Sequence, residues 1–144
     1  MQGRALIAGE AQGLALVSAE PLSFWGGYDQ RSGEIIDRRH PLSGQIAAGR
    51  VLAIPFTRGS STTTAVLLEA IRAGTAPVAL LTNSVDRFLA LAVIVADELY
   101  SKPIPVVALT PNDFATLQSG QRVHVHGDGR VVVEDNVLAC VGES

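Results

Sequence analysis

Apolar residues follow two spacings along this chain, and together these predict alternating strands and helices. Mostly apolar runs at 50–56, 76–82 and 104–109 predict three strands, and the run at 50–56 is typical of a strand buried on both faces of a sheet. Helical spacing at 65–72 and at 85–99 predicts a helix in each of the two intervals between those strands. The order strand, helix, strand, helix, strand predicts a parallel sheet with crossover helices.

Strand patterns also occur at both ends of the chain. Short apolar runs at 4–8 and 14–18 predict two strands that pair with each other. Strict alternation at 121–126 predicts a half-buried strand, and residues 127–129 (Gly-Asp-Gly) predict a hairpin turn after it. A further apolar run at 137–141 is a candidate extension of the sheet. The predicted fold class is therefore α/β: a mixed sheet with a central β-α-β-α-β unit and β-rich ends.

Capping residues indicate where the predicted helices begin. Thr110, followed by Pro111, predicts a short helix with Thr110 as its N-cap. The candidate cap of the helix at 85–99 is Asn83 or Ser84. The acidic side chains of that region are interpreted as a solvated polar face, and they are Asp86, Asp97 and Glu98.

The stretch from 20 to 44 has no regular periodicity, and it contains one Gly-Gly pair, aromatic residues and a histidine. An irregular segment of this length inside a compact domain is uncommon unless it has a function. Trp25 beside Gly26-Gly27 is interpreted either as part of a pocket or as a core aromatic at a tight turn. His40 before Pro41 is either a site residue or the donor of a hydrogen bond that fixes the loop.

A cluster of hydroxyl residues, Arg58–Thr64 (RGSSTTT), lies between the strand at 50–56 and the helix at 65–72. Gly59 permits the backbone angles of a tight turn, and hydroxyl oxygens can cap free N–H groups at a helix start. A helix N-terminus also favours anions. Two interpretations stay open from the pattern alone: simple capping, for which one hydroxyl suffices, and a site for an anion or carboxylate.

Composition restricts the classes of protein that fit. The chain of 144 residues is 47% hydrophobic and 17% charged, which predicts one globular domain spanning 1–144. Its formal net charge of −3, without a basic stripe, argues against nucleic acid as a partner. The longest apolar run, Phe88–Ala96, is too short to span a bilayer, and the N-terminus leads into no signal-peptide core. We therefore expect a cytoplasmic protein without a membrane partner.

The sequence offers few residues in patterns that bind a metal ion or a nucleotide. Cys140 is the single cysteine, so the chain cannot form an intrachain disulfide or supply a thiolate set for a metal cluster. His124 and His126 have a spacing that can hold a metal, but no Cys or carboxylate pattern accompanies them, and we interpret them as a solvated face beside Arg122. No Walker loop or Gly-x-Ser-x-Gly elbow is present. The prediction for this chain is no metal.

Several segments of the chain form a recognisable set when taken together. They are Gly3-Arg4, Glu20–Asp29, Gly33, His40–Gly44, Arg58–Ser61, Ala76-Pro77, Ala96–Tyr100 and Ile104–Val107. This set resembles one family, the small subunit or swivel domain of the aconitase X enzymes. The likeness covers roughly residues 1–110, and the pairing of a Ser-Phe-x-Gly-Gly-x-Asp segment with a Gly-Ser-Ser segment makes it specific.

The resemblance implies a swivelling β/β/α domain that closes over an iron–sulfur cluster held by a large partner subunit. The family enzymes are hydro-lyases that remove water from a small hydroxy acid, with the cluster iron assisting departure of the hydroxyl group. The family's catalytic base is a serine that matches Ser60, with Ser61 kept open as an alternative. Substrate binding is implied for Arg58, Gly59, Ser61 and Thr62. The irregular segment is implied as a site loop through Ser23, Gly26, Gly27, Asp29 and His40.

Two substrates compete within the family. Bacterial members resemble cis-3-hydroxy-L-proline dehydratases, and archaeal members resemble mevalonate 5-phosphate dehydratases. The chain has one lysine, Lys102, and many Ala, Arg and Gln residues, a composition that favours the bacterial substrate. Ordinary aconitases have an arginine after the two serines, whereas this chain has Thr62 and Thr63, so an arginine for the substrate carboxylate must come from elsewhere.

A hypothesis from a different class is a non-catalytic binding or scaffold domain with the same swivelling fold. Swivelling domains of phosphotransfer proteins carry a phosphoacceptor histidine beside a Gly-rich turn, and His40-Pro41 does not match that pattern. A large partner chain with three cluster cysteines would favour the dehydratase over the scaffold.

Overall fold

The computed structural model describes residues 1–24, 26–58, 61–100 and 104–134, without the side chains of 61–64 and of Phe88. The helices are α1 (Ser61–Ala73), α2 (Arg87–Tyr100) and α3 (Pro111–Ala115). The strands are β1 (Arg4–Ile7), β2 (Ala11–Val17), β3 (Leu22–Ser23), β4 (Val51–Ala53), β5 (Thr57–Arg58), β6 (Ala79–Thr82), β7 (Val106–Ala108), β8 (Arg122–Val125) and β9 (Val131–Glu134). The expectations for Trp25, Cys140 and residues 137–141 fall outside the described residues.

The central unit is the predicted β-α-β-α-β arrangement, in which β4, β6 and β7 are parallel neighbours joined through α1 and α2. Seven of the described strands form one mixed sheet in the order β1-β7-β6-β4-β2-β8-β9. The predicted burial of the strand at 50–56 on both faces is confirmed, because residues 51–54 are fully buried. The α/β fold class is therefore confirmed.

The predicted pairing of the first two strands is wrong. β1 pairs antiparallel with β7, whereas β2 lies between β4 and β8, so the two strands are on opposite sides of the parallel centre. The parallel strands β4, β6 and β7 leave one open edge on each side, and an exposed edge is satisfied by another strand. β1 covers the edge at β7 and β2 covers the edge at β4. These two strands are neighbours in sequence, but they are separated in the sheet.

Two apolar cores lie on the two faces of the sheet. Leu52, Ile54 and Leu80 face α1 and α2, and the alternate residues Val51 and Ala53 face the opposite core. The second core is closed by α3, through Phe114, and by the hairpin of β8 and β9. Of the helices that the structure describes, none is long and apolar enough to cross a membrane.

The irregular segment between β2 and β4 serves as a crossover connection. Parallel neighbours need a connection of a dozen residues or more, usually a helix, and here it is a loop with single bridges at Tyr28, Glu34, Ile35 and Ile46. Its buried side chains join the core beneath α1 and α2, and they are Leu22, Phe24, Tyr28, Ile35, Leu42 and Ala47. The loop is therefore packed into the core at the place where a crossover helix usually lies.

Helix ends follow the predicted chemistry in two cases and depart from it in one. The Thr110 hydroxyl accepts a hydrogen bond from the Asp113 N–H at 3.2 Å, which confirms the predicted cap of α3. Gly74 at φ +79° ends α1, as predicted. The cap of α2 is Asp86, not Asn83 or Ser84, because its Oδ1 accepts the Leu89 N–H at 3.0 Å. Asp86 is 7% exposed, so the interpretation of this residue as part of a solvated face is also wrong.

Candidate active site

The hydroxyl-rich turn lies where a short strand meets the start of α1. β5 ends at Arg58 and α1 begins at Ser61, so Gly59 and Ser60 are the two residues that join them. Both residues fall outside the described part of the chain, as do the side chains of Ser61 and Thr62. Their predicted roles therefore stay predictions. The structure describes the residues on both sides of the turn, and these fix the positions of its two ends.

β5 is anchored on the irregular segment through a parallel pair with β3, in which Leu22 is opposite Thr57 and Ser23 is opposite Arg58. The predicted loop residue Ser23 is therefore brought next to the hydroxyl-rich turn. Leu22 is fully buried in the core beneath α1, which fixes β3 in place. Because β3 is fixed by the core, its pairing with β5 also fixes the backbone at Arg58.

A second anchor comes from Asp86, the cap of α2. Its Oδ2 accepts hydrogen bonds from the Thr57 N–H at 2.7 Å and from the Thr57 hydroxyl at 2.6 Å. The segments around these two residues run side by side, since the Asn83 N–H donates to the Pro55 carbonyl at 3.2 Å. The start of β5 is thus bound to the start of α2.

A polar cavity of about 510 Å³ opens beside Arg58, the last residue of β5. Its lining residues are Glu20, Pro21, Asp37, Arg38, Arg39, His40 and Arg58. The three guanidinium groups are permanently charged and outnumber the two carboxylates, so the cavity favours an anionic ligand. Bidentate pairing with a carboxylate or a phosphate is the interaction that arginine makes best.

His40 forms the wall of this cavity and fixes its loop. The imidazole is 6% exposed, its Nδ1 accepts the Leu42 N–H at 3.1 Å, and its Nε2 lies 3.3 Å from the Glu20 carbonyl oxygen. These contacts match a neutral ring in which Nε2 carries the proton and donates to Glu20. Both interpretations of His40 from the sequence therefore have support: it borders the cavity and it ties residues 20 and 42 together.

The structure does not bring the other predicted loop residues to this cavity. Gly26 and Asp29 line a different one, beside Phe24 and Tyr28. The Asp29 carboxylate accepts the Arg31 N–H at 2.8 Å, and that bond chiefly lowers the pKa of the Asp29 carboxyl. Gly27 is buried, and a Cβ there would lie 2.2 Å from the Ser23 carbonyl oxygen, so packing accounts for this glycine. Of these loop residues, His40 therefore lines the cavity beside Arg58, whereas Gly26, Gly27 and Asp29 do not, and a role in binding or catalysis stays a prediction for all four.

Sequence reasoning missed Arg38, Arg39 and Asp86. The two arginines directly precede His40, and a cationic pair beside a candidate site histidine was the available signal. Asp86 follows the end of β6 by four residues, just as Thr57 follows the end of β4. Side chains beyond the carboxyl ends of adjacent parallel strands meet at one edge of the sheet, and this rule could have paired them.

His124 on β8 and His126, one residue beyond the end of β8, have stacked rings with centroids 4.1 Å apart, and Glu10 lies beside them. One ligand atom from each of the three lies within 4.8 Å of the others, so a carboxylate does accompany the histidines, contrary to the sequence-based expectation. Glu10 is exposed, with 68% of its side chain accessible, and Arg122 lies on the same face of β8. We retain the interpretation of this cluster as a solvated face.

Comparison with known proteins agrees with the fold. The family model described as the aconitase X swivel domain matches residues 1–134. A cis-3-hydroxy-L-proline dehydratase of Pseudomonas aeruginosa is 53% identical over 106 residues, which are 74% of this chain and 18% of that protein. A phosphomevalonate dehydratase small subunit of Thermococcus onnurineus is 37% identical over 136 residues, 94% of this chain and 98% of that protein.

A solved structure shows the same architecture. The crystal structure of Thermococcus kodakaraensis aconitase X (holo-form) superposes with a TM-score of 0.83 at 31% identity, covering 93% of this chain and 97% of that one. The chain spans about a fifth of the length of the hydroxyproline dehydratases it matches, 18% and 21%, and nearly all of the phosphomevalonate dehydratase small subunit. The predicted swivelling fold is confirmed, and the chain belongs to the aconitase X swivel domain family.

Proposed function

We propose that this chain is the small, swivelling part of an aconitase X hydro-lyase that dehydrates a small hydroxy acid, with Ser60 as the base. The observation that carries the proposal is the cationic cavity lined by Arg38, Arg39 and Arg58, of which Arg58 is two residues before Ser60 in the sequence. These arginines are suited to hold the carboxylate of a hydroxy acid.

In the proposed reaction, Ser60 takes a proton from the carbon adjacent to the substrate carboxylate. As that C–H bond breaks, its electron pair forms the carbon–carbon double bond and the hydroxyl group leaves from the neighbouring carbon. A serine oxygen is a poor base in water and requires stabilisation of its anionic form. The N-terminus of α1 supplies a positive dipole end beside Ser60, and Arg58 supplies a full positive charge two residues before it.

The iron–sulfur cluster that the family implies does not fit this chain by itself. Cluster irons are held by several cysteine thiolates, and the sequence has one cysteine. We assign the cluster to a large partner subunit and derive no step through it. The present chain contributes the base, the arginines and the loop that closes the cavity.

cis-3-Hydroxy-L-proline is the proposed substrate, because the relative named for it is 53% identical, against 37% for the phosphomevalonate dehydratase small subunit. Mevalonate 5-phosphate is the second candidate. The presence of three arginines around one cavity favours it, since a substrate with both a carboxylate and a phosphate would use more cations than an amino acid needs.

The test is anaerobic co-expression of this chain with the large aconitase X subunit of the same organism, followed by turnover assays on both substrates. We expect turnover of cis-3-hydroxy-L-proline and a raised KM in Arg58→Ala, with no change in Arg122→Ala, an exposed arginine on β8. Turnover of mevalonate 5-phosphate alone would assign the second substrate. An intact cluster with turnover of neither would contradict both assignments and favour a scaffold role.

A further inference from the structure

One buried carboxylate outside the proposed catalytic set connects two elements at the edge of the site. Asp86 is 7% exposed and uses both of its oxygens. Oδ1 accepts the Leu89 N–H at 3.0 Å, and Oδ2 accepts the N–H and the hydroxyl of Thr57 at 2.7 and 2.6 Å. Bonds of this length to an ionised oxygen are stronger than neutral hydrogen bonds.

This pattern exceeds what a helix cap requires. A cap satisfies free N–H groups of its own helix, and Oδ1 alone does this for α2. Oδ2 reaches a residue 29 positions away in sequence, in a different element. Thr57 bonds to this oxygen with both its backbone and its side chain, so its position and its rotamer are fixed together.

The residue held in this way is the first of a very short strand. β5 is two residues long, and its pair with β3 anchors it in addition to the contact with Asp86. Thr57 directly precedes Arg58 and is three residues before Ser60. A displacement of Thr57 would therefore be passed to both side chains with little chain length to absorb it.

We propose that Asp86 is a positioning residue for the dehydration: it holds β5 so that Arg58 and Ser60 meet the substrate in the reactive geometry. The inference rests on the proposed function of Ser60. Small displacements of reacting groups cost up to about 10²-fold in rate. Asp86 acts through Thr57 and makes no contact with the substrate itself.

Three variants separate positioning from simple stabilisation in the assembled enzyme. Asp86→Asn replaces one acceptor oxygen by an NH₂ group, so either Thr57 or Leu89 loses its partner. Thr57→Val keeps the backbone N–H and removes the hydroxyl donor, and Thr57→Ser restores that donor. We expect kcat to fall by roughly 10- to 100-fold in Asp86→Asn, by less in Thr57→Val, and to recover in Thr57→Ser. KM should rise in the variants that lower kcat, because Thr57 also positions Arg58, whose loss is expected to raise KM.

Thr110→Ala is the matched control, because it also removes an N-cap, from α3 on the opposite face of the sheet. It should lower the melting temperature and leave kcat unchanged when assayed well below that temperature. If Asp86→Asn and Thr57→Val behave like Thr110→Ala, with reduced stability and full kcat, Asp86 is only a cap and the proposal is overturned.

A second readout does not depend on the reaction. Amide hydrogen exchange of the full chain, followed by NMR, should be faster at Thr57 and Arg58 in Asp86→Asn than in the wild type, and unaltered there in Thr110→Ala. Unchanged exchange at Thr57 and Arg58 would overturn the proposal even if activity fell. If the wild-type complex dehydrates neither substrate, the proposed function fails, and with it the catalytic part of this inference, whatever the exchange shows.

Discussion

At the scale of single residues, the irregular segment shows how packing and chemistry divide one stretch of sequence. Position 27 requires glycine because a Cβ there would overlap the Ser23 carbonyl oxygen, whereas His40 borders the cationic cavity. A sequence pattern assigns both to a site, since glycine pairs and histidines are typical of functional loops. The distance from Gly27 to its neighbour is a property of the folded chain and is invisible in the sequence.

Gly27→Ala should destabilise the protein by about 1–3 kcal/mol, because the added methyl group overlaps backbone that cannot move freely. Gly127→Ala is the control, since no atom lies within 4 Å of a Cβ at that position and its φ is not in the left-handed region. Urea denaturation of both variants measures the difference. Equal stability of the two would show that the loop accommodates the methyl group and that packing does not explain Gly27.

Tyr28 ties the same segment to the end of α1 by donating its hydroxyl hydrogen to the Thr75 carbonyl at 2.6 Å. Burial raises the pKa of the Tyr28 phenol above its ordinary value. The folded state therefore holds this proton more tightly than the unfolded state does. The resulting stabilisation of the folded state is complete below about pH 10 and is lost as the pH rises further.

Tyr28→Phe should therefore cost about 1 kcal/mol at pH 7 and show a weaker loss of stability between about pH 10 and 11 than the wild type. Thermal melts over this range give the comparison, and Tyr100→Phe controls for the other tyrosine. Parallel pH profiles for the wild type and Tyr28→Phe would contradict the assignment to Tyr28.

At the scale of elements, periodicity predicted most of the helices and strands of the described chain, and hydrogen bonding across elements decided the rest. The central β-α-β-α-β unit follows from apolar runs and helical spacing, which are local. The separation of β1 from β2 and the choice of Asp86 over Ser84 as a cap depend on which edges and which donors lie nearby in space. Likewise, the hydroxyl-rich turn was visible from the sequence, but the meeting of Arg38 and Arg39 with Arg58 around one cavity depends on the fold.

Helix capping offers a direct check of these assignments. Thr110→Ala should lower the free energy of unfolding by about 1 kcal/mol, because the Asp113 N–H loses its acceptor. Ser84→Ala should change it by less than about 0.5 kcal/mol, since Ser84 does not cap α2. A loss in Ser84→Ala as large as that in Thr110→Ala would restore the sequence-based cap.

At the scale of the whole molecule, the proposed site lies beyond the carboxyl ends of β4 and β6, while two apolar cores hold the sheet from both sides. The N-terminus of α1, the short pair of β3 and β5, and the cationic cavity converge at this edge. Under the proposed function, this edge presents Ser60 and the arginine-lined cavity to the large subunit, which carries the remaining chemistry.

The chain alone should consequently be folded and colourless, and it should turn over neither candidate substrate. One cysteine cannot hold an iron–sulfur cluster, so anaerobic reconstitution with iron and sulfide should add no visible absorption band to the isolated chain. The same treatment of the complex with the large subunit should produce one. A stable visible band in the isolated chain would contradict the assignment of the cluster to the partner.

The most direct test of the account is the activity of Ser60→Ala beside Ser61→Ala in the complex with its cluster intact, with cis-3-hydroxy-L-proline as substrate. If Ser60 is the base, Ser60→Ala loses about 10²- to 10⁴-fold in kcat at unchanged cluster content, and Ser61→Ala loses much less. If Ser60→Ala retains its kcat, the base lies elsewhere and the hydroxyl cluster is a helix cap. A large loss confined to Ser61→Ala would transfer the role to the neighbouring serine.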